Sequence, residues 1–384
     1  MSTAALHSRL GAYYFFYYAT VGAFMPYWAP YLTARGFSAT EVGVAYALAG
    51  VERAVMPFVW GWIADHTGRH IQLVRGTSLA SLALFLLIPF AEGTPQVMVA
   101  MLAYNLFWQA LLPQFEAVSL VHLTHTRGDY SRVRLWGSVG FVVAVLGLGP
   151  LLDWLGILPL PWLVGILFAG MALASFAVPP TRPPPLAAGA PAAESLGTVL
   201  RRPAVIGLLV ACLCSQMSFA PYYNFFTLFL ERHGHSRSIA GLLWAVGVVA
   251  EIGLFVYMSR IIARIGARRL LLLALAATVL RWLATVLLAD SLAALAVIQL
   301  SHALTFGAYH ACAMHYVFRL YPARLQGRGQ ALYNAAAYGI GGAIGSLGAG
   351  WIWDHVQPEA LFWIAAGIAA LGTWVVWKRV PDLR

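Results

Sequence analysis

Gly61-Trp62-Ile63-Ala64-Asp65-His66-Thr67-Gly68-Arg69-His70 joins two long apolar runs, and the architecture of the chain is read outward from it. Gly61 and Asp65 are four residues apart, so they share one face at the end of a helix. Gly68 has no Cβ and can turn the chain through a left-handed conformation. Arg69 and His70 then place basic groups where a membrane-sized segment meets water.

The flanking runs are part of a general pattern. The 384-residue chain is 61% hydrophobic and 10% charged, against about 25% charge in a soluble domain, and its mean hydropathy is +0.75. Apolar runs of about 20 residues recur along its length, each able to cross about 30 Å of hydrocarbon. They are continuous rather than alternating, which argues against a β-barrel. A formal charge of +10 would point to nucleic acid in a soluble protein. Here the basic residues sit in short connections, so the membrane reading takes precedence and no nucleic-acid partner is expected. Cys212, Cys214 and Cys312 all fall inside apolar segments and read as packing residues, not disulfides or metal ligands. No cleavable leader is expected, because residues 1–8 are short and polar and the first apolar run follows directly.

Twelve spans are expected, at about 9–33, 41–64, 70–91, 95–122, 131–153, 158–178, 204–230, 238–262, 268–289, 292–318, 327–353 and 358–378. Assigning the connections alternately to two sides leaves Arg35, Arg232 and Arg237 on one. The opposite side, which includes both termini, collects Arg9, Arg127, Arg182, Lys378, Arg384 and the other connecting arginines. Such a bias places both termini in the cytoplasm. An odd number of spans would destroy the separation.

Residues 179–203 begin Pro179-Pro180-Thr181-Arg182-Pro183-Pro184-Pro185 and continue rich in Ala, Gly and Pro. Such a segment reads as a semi-extended cytoplasmic linker. It divides the chain into two bundles of six spans, 1–178 and 204–384. The halves resemble each other: Ser38 to Gly68 can be laid on Ser236 to Gly266 at a constant offset, pairing Gly43 with Gly241 and Arg53 with Glu251. In the second copy Ser259 and Ala263 replace Gly61 and Asp65. Gly341, Gly345 and Ala349 form a small face at four-residue spacing, suited to close helix packing.

The opening stretch resembles the loop between the second and third helices of major facilitator superfamily transporters. The resemblance implies an all-α polytopic membrane protein with the major facilitator fold, twelve transmembrane helices in two pseudo-symmetric six-helix bundles, and a substrate site near the midplane. It also implies that Gly61, Asp65, Gly68 and Arg69 belong to a conformational switch that stabilises a closed cytoplasmic side. Read without the family, they are topology anchors.

Charges inside the membrane cost at least about 2.5–3.5 kcal/mol each and mark function by default. Glu52, Arg53, Glu116, Arg134, Glu251, Arg281, His302 and His310 are such groups. At about 1.5 Å per residue, Glu251 and Arg281 each lie about 18 Å from the cytoplasmic face, and His302 about 15 Å from the outside. An acid, a cation and an imidazole can therefore meet at one level. Glu116 and Arg134 share a more cytoplasmic level on adjacent spans. His310, His315, His122 and His125, nearer the basic side, read as structural or interfacial.

Further motifs resemble the phenylpropionate transporter family across essentially all twelve spans. They are Met25-Pro26-Tyr27-Trp28, Asp129 to Gly140 with Arg134, Tyr222-Tyr223, Val246 to Glu251, Leu280-Arg281-Trp282 and Ser301 to His310. More distantly the chain is similar to lactose permease and the oligosaccharide:proton symporter branch. That likeness puts Glu116 and Arg134 at the positions of a sugar-binding acid–arginine pair, and Glu251, Arg281 and His302 in a proton-coupling network. Two departures stand out: Thr305 replaces a second acid of that network, and Gln299 replaces its lysine.

The expected function is secondary active transport: proton-coupled uptake of a small organic solute, an aromatic or apolar carboxylate, by alternating access. Arg53 would hold the carboxylate bidentately, with ring contacts from Tyr13 to Tyr18 and from Tyr222 to Phe226. Alternatively Glu52 neutralises Arg53 and the aromatics only pack. Glu251 is the first candidate for the proton carrier, and His302, with a free pKa of about 6.5, the second. The alternatives are a proton-coupled sugar or nucleoside symporter at Glu116 and Arg134, and a proton-driven exporter. A channel or receptor fits the two repeats poorly. No His-Glu-x-x-His or Gly-x-Ser-x-Gly occurs, so an enzyme is not expected. The coupling ion is the proton, with no cofactor or metal. The expected setting is a monomer in a bacterial inner (plasma) membrane.

Overall fold

A computed structural model describes residues 3–126, 129–180 and 195–382. Arg127, Arg182 and Arg384, and most of the Pro-rich segment, lie outside them. Twelve long helical segments are present among the described residues. In the first half they are α1 (Thr3–Ala34), α2 (Ala39–Thr67), α3 (His70–Phe85), α4 (Gly93–Thr126), α5 (Tyr130–Leu155) and α6 (Leu160–Ala177). The second half holds α7 (Pro203–Arg232), α8 (Arg237–Ile265), α9 (Ala267–Leu287), α10 (Leu292–Leu320), α11 (326–355) and α12 (Ala360–Arg379). The described end of the linker is helical over Leu196–Leu200, started by the Ser195 side chain accepting from the Thr198 amide. That short turn departs from the extended reading of 179–203: a capping serine outweighs composition once the prolines have passed.

Local chemistry sets several boundaries. Asp129 caps α5 by accepting from the Ser131 amide at 2.9 Å, and Ser291 caps α10 through the Ala294 amide. Gly36, Gly68, Gly234 and Gly266 close helices with φ of 87°, 62°, 79° and 85°, a region where a Cβ is strained. Gly36 and Gly234, like Gly68 and Gly266, are 198 residues apart. At the same offset α2 and α8 start and stop together, each 29 residues long. The internal repeat therefore extends to the turns.

Large apolar side chains face outward: Leu280 is 67% exposed, Leu173 73% and Val256 69%. In water such a surface would aggregate; it is the lipid-facing shell of a bundle. Nine helices among the described residues are long and apolar enough to span a membrane on their own merits. The aromatic α1, the polar-dotted α4 and the glycine-rich α11 reach spanning length with less apolar windows.

Contacts group the chain into two units, the first holding described residues 3–38, 55–180 and 235–245, the second 39–54, 195–234 and 246–382. Helices α2 and α8 thus each contribute to both. In the first unit, a Cβ on Gly140 of α5 would stand 2.1 Å from the Phe15 carbonyl oxygen of α1. There too, Asp153 accepts from the Arg237 and Ser238 amides at 3.0 Å and from the Ser238 hydroxyl, holding the start of α8. In the second unit, Asp354 likewise accepts from the Ala39 and Thr40 amides at 3.2 and 2.7 Å, holding the start of α2. Gly341 and Gly345 of α11 bring its backbone onto Leu213 and Met217 of α7, and Ala349 is buried. Cys212, Cys214 and Cys312 are all buried and free.

Candidate functional site

The polar residues of the second unit converge on Arg281. This side chain of α9 is 2% exposed. One terminal nitrogen donates to His302 Nδ1 and to Thr305 Oγ1, both at 2.9 Å. The other donates to Gln299 Oε1 at 3.0 Å, which also accepts from the Tyr222 hydroxyl at 3.0 Å. The rings of Tyr222 and Trp282 lie 4.5 and 4.8 Å from the guanidinium carbon, a cation–π cage. Gln299 and Thr305 stand three residues before and after His302. One face of α10 therefore presents all three acceptors.

A guanidinium only donates, so His302 Nδ1 is the acceptor and the ring proton of the neutral imidazole is on Nε2. That nitrogen lies 3.6 Å from Glu251 Oε2 on α8. Paired glycines permit the approach. A Cβ on Gly247 of α8 would lie 3.3 Å from His302 Cβ, and one on Gly307 of α10 would lie 3.1 Å from Glu251 Cγ. The helix is π-helical over Ala303–Ala308; such bulges recur at functional sites. Glu251, Arg281 and His302, matched in depth by counting residues, are thus brought together.

Arg53 of α2 belongs to the same unit. It is exposed in the chain, and its charge and that of Glu251 both act on the Tyr338 hydroxyl of α11. Tyr223, half-buried, is acted on by Glu251 and Tyr338. Tyr222 is 1% exposed, its ring taken up by Arg281.

The first unit holds a second polar group. Glu116 accepts from the Tyr130 hydroxyl at 3.0 Å. Arg134 donates to the Tyr18 hydroxyl, and its guanidinium carbon lies 3.9 Å from the Tyr18 ring centre. Gly137 makes the room, since a Cβ there would meet the Tyr18 ring at 2.6 Å. Glu116 and Arg134 act on each other electrostatically through intervening phenols, not as a contact pair. Tyr13 and Tyr14 are fully buried, and Tyr13 stacks on Phe115 at 3.6 Å. These two rings pack the bundle, contrary to the expectation that the whole Tyr13 to Tyr18 run offers ring contacts.

Asp65 and Arg69 are exposed at the end of α2 and the start of α3, with Gly61 half-buried and a Cβ there meeting nothing within 4 Å. Sequence reasoning overlooked Tyr338, on whose hydroxyl the charges of Arg53 and Glu251 both act. It also treated Gln299 and Thr305 as losses, although they are the Arg281 acceptors. Their i−3 and i+3 spacing around His302 carried the signal.

The profile of the MFS_1 like family matches residues 7–364. The chain is 30% identical to the probable 3-phenylpropionic acid transporter of Escherichia coli (strain K12), over 96% of this chain and 97% of that one. It is 28% identical to the maltose permease of Geobacillus stearothermophilus, over 94% and 91% respectively. Among solved structures it is similar to the nucleoside transporter NupG, D323A mutant, with a TM-score of 0.84 at 15% identity, covering 98% of this chain and all of that one.

Proposed function

Because the chain belongs to the MFS_1 like family of major facilitator transporters, a family of membrane carriers rather than enzymes, we propose that it is a proton-coupled symporter for a small aromatic or apolar carboxylate. It needs no cofactor. The observation supporting this reading is that the charges of Arg53 and Glu251 both act on the Tyr338 hydroxyl. A cation able to hold a carboxylate bidentately and a carboxyl able to hold a proton thus both act on one phenol, so substrate and proton can be linked through it. The name printed for the Escherichia coli relative supports the same substrate class.

Glu251 carries the proton in this reading. Protonating His302 on Nδ1 would break its bond from Arg281, whereas Glu251 is 16% exposed and faces His302 Nε2. Arg281, buried and held by three neutral acceptors, fixes the tautomer. Uptake then follows from linkage: proton and anionic substrate bind better together than singly, and one access change carries both. The 1–178 and 204–384 bundles move in alternating access, with Gly61, Asp65, Gly68 and Arg69 in the switch. The arginine-rich connections and both termini face the cytoplasm of a bacterial cell, with the protein a monomer in its inner membrane.

A sugar or nucleoside symporter is the second reading, favoured by the Glu116–Tyr130 and Arg134–Tyr18 bonds and by the maltose permease likeness. Equilibrium binding of labelled 3-phenylpropionate and of maltose separates the two. The proposal requires Arg53→Ala to weaken binding of the acid at least about tenfold, about 1.4 kcal/mol. Binding of maltose alone, insensitive to Arg53, moves the site to Glu116 and Arg134.

A further inference from the structure

The sequence reads His310 as structural or interfacial, yet the ring faces a buried phenol, Tyr333, and a partly buried one, Tyr338. Its Nδ1 lies 2.9 Å from the Tyr333 hydroxyl and 3.4 Å from that of Tyr338, and the two hydroxyls are 3.5 Å apart. The three atoms close a triangle. His310 is also the far end of a ring column on α10. His302 stacks on Phe306 at 5.2 Å and 11°, and Phe306 on His310 at 6.1 Å and 13°. Tyr338 also feels the charges of Glu251 and Arg53 at its hydroxyl. It sits in the π-helical stretch Ala335–Gly341 of α11.

We propose that His310, fed through Tyr338, is the inner proton station of the transporter, by which Glu251 discharges toward the Leu320 end of α10. This deepens the proton-coupled reading above and rests on it. The eight residues from His302 to His310 advance about 12 Å along the helix, so the group carries a proton that far toward the Leu320 end. In the step, the Glu251 carboxyl passes its proton through an intervening water to the Tyr338 oxygen as the Tyr338 hydroxyl gives its own to His310 Nδ1. The imidazolium then releases its Nε2 proton to water, leaving the opposite tautomer. Return of that tautomer through water restores the start, and no charge is created overall.

Several groups surround the relay. Tyr333 and Tyr338 face His310 directly; Arg53 on α2, Glu251 on α8, Cys212 on α7 and Tyr309 on α10 act on those phenols. Charged residues thus act on Tyr338, and neutral groups on Tyr333. Tyr333 is fully buried, fixing one partner of Nδ1. His310 is half-buried.

The test uses full-length protein in proteoliposomes. Wild-type protein is offered labelled 3-phenylpropionate, maltose and uridine under an inward proton gradient; whichever accumulates settles the substrate class separately. His310→Gln and His310→Asn, which keep polarity but cannot carry a proton, are then scored on that solute in two assays. Equilibrium counterflow exchanges labelled for unlabelled solute without proton release, and it also reports folding. The relay predicts counterflow within about twofold of wild type and gradient-driven accumulation reduced at least tenfold, in one or both variants. Accumulation near wild type in both, or equal loss of both activities in both, overturns it. A wild type indifferent to the proton gradient overturns the relay together with the coupling reading.

Discussion

The guanidinium of Arg281 donates to Nδ1 of His302 at 2.9 Å, and by doing so places the His302 proton on the nitrogen that faces Glu251 at 3.6 Å. One bond thus orders a three-residue array across three helices. Its consequences reach both the stability of the second unit and the division of labour between acid and imidazole.

Arg281→Met is expected to destabilise the protein by about 2–4 kcal/mol. Gln299, Thr305 and His302 would each lose a buried donor, at about 1–3 kcal/mol per orphaned group with incomplete additivity. Thermal unfolding in detergent, followed by tryptophan fluorescence, checks this. Arg281→Lys should recover part of the loss, because an ammonium reaches one or two acceptors but not the planar set.

Glu251→Gln should separate exchange from coupling. Equilibrium counterflow stays within about twofold, whereas the response to an imposed proton gradient disappears, since an amide cannot take up the proton. A variant that still accumulates solute under the gradient passes the carrier role to His302.

Glycine substitutions should divide by packing. Gly140→Ala pushes a Cβ into the Phe15 carbonyl at 2.1 Å, and overpacking of this kind costs about 1–3 kcal/mol or more. At Gly61 a Cβ meets nothing within 4 Å, so Gly61→Ala should hold stability or gain up to about 1 kcal/mol of helix propensity. A Gly61→Ala variant that is stable yet slow in transport supports the switch assignment; full transport rate argues that the glycine is only an anchor. Paired melting curves and initial rates give both answers.

Asp354→Ala removes three acceptor contacts from the start of α2. A lost helix cap costs about 1 kcal/mol, which should speed hydrogen exchange of the amides at 39–42 about fivefold. Asp153→Ala should do the same at 237–240. Unchanged exchange at both sites means that neighbouring packing, not the carboxylates, holds these helix starts.

Much of this architecture was legible because membrane helices obey a length rule. Runs of about 20 apolar residues and the 198-residue offset from Gly68 to Gly266 located α2 and α8 to within a few residues. Depth counting placed Glu251, Arg281 and His302 together, since rise per residue is fixed. Rotation around the helix axis is not fixed by counting. Glu116 and Arg134 share a level yet turn to Tyr130 and Tyr18, and Tyr13 turns into the bundle while Tyr18 meets Arg134. Tyr338 escaped notice for a related reason. An uncharged residue in a glycine-rich helix gives no hydropathy signal, and the π-helical stretch that aims it has no simple period.

The most direct measurement is uptake of labelled 3-phenylpropionate into proteoliposomes under an inward proton gradient, with wild type and Arg53→Ala side by side. If Arg53 holds the carboxylate, wild type accumulates the acid, a protonophore abolishes the accumulation, and Arg53→Ala loses at least about tenfold of it. Equal accumulation by the two proteins, or accumulation of maltose or a nucleoside in place of the acid, contradicts that role.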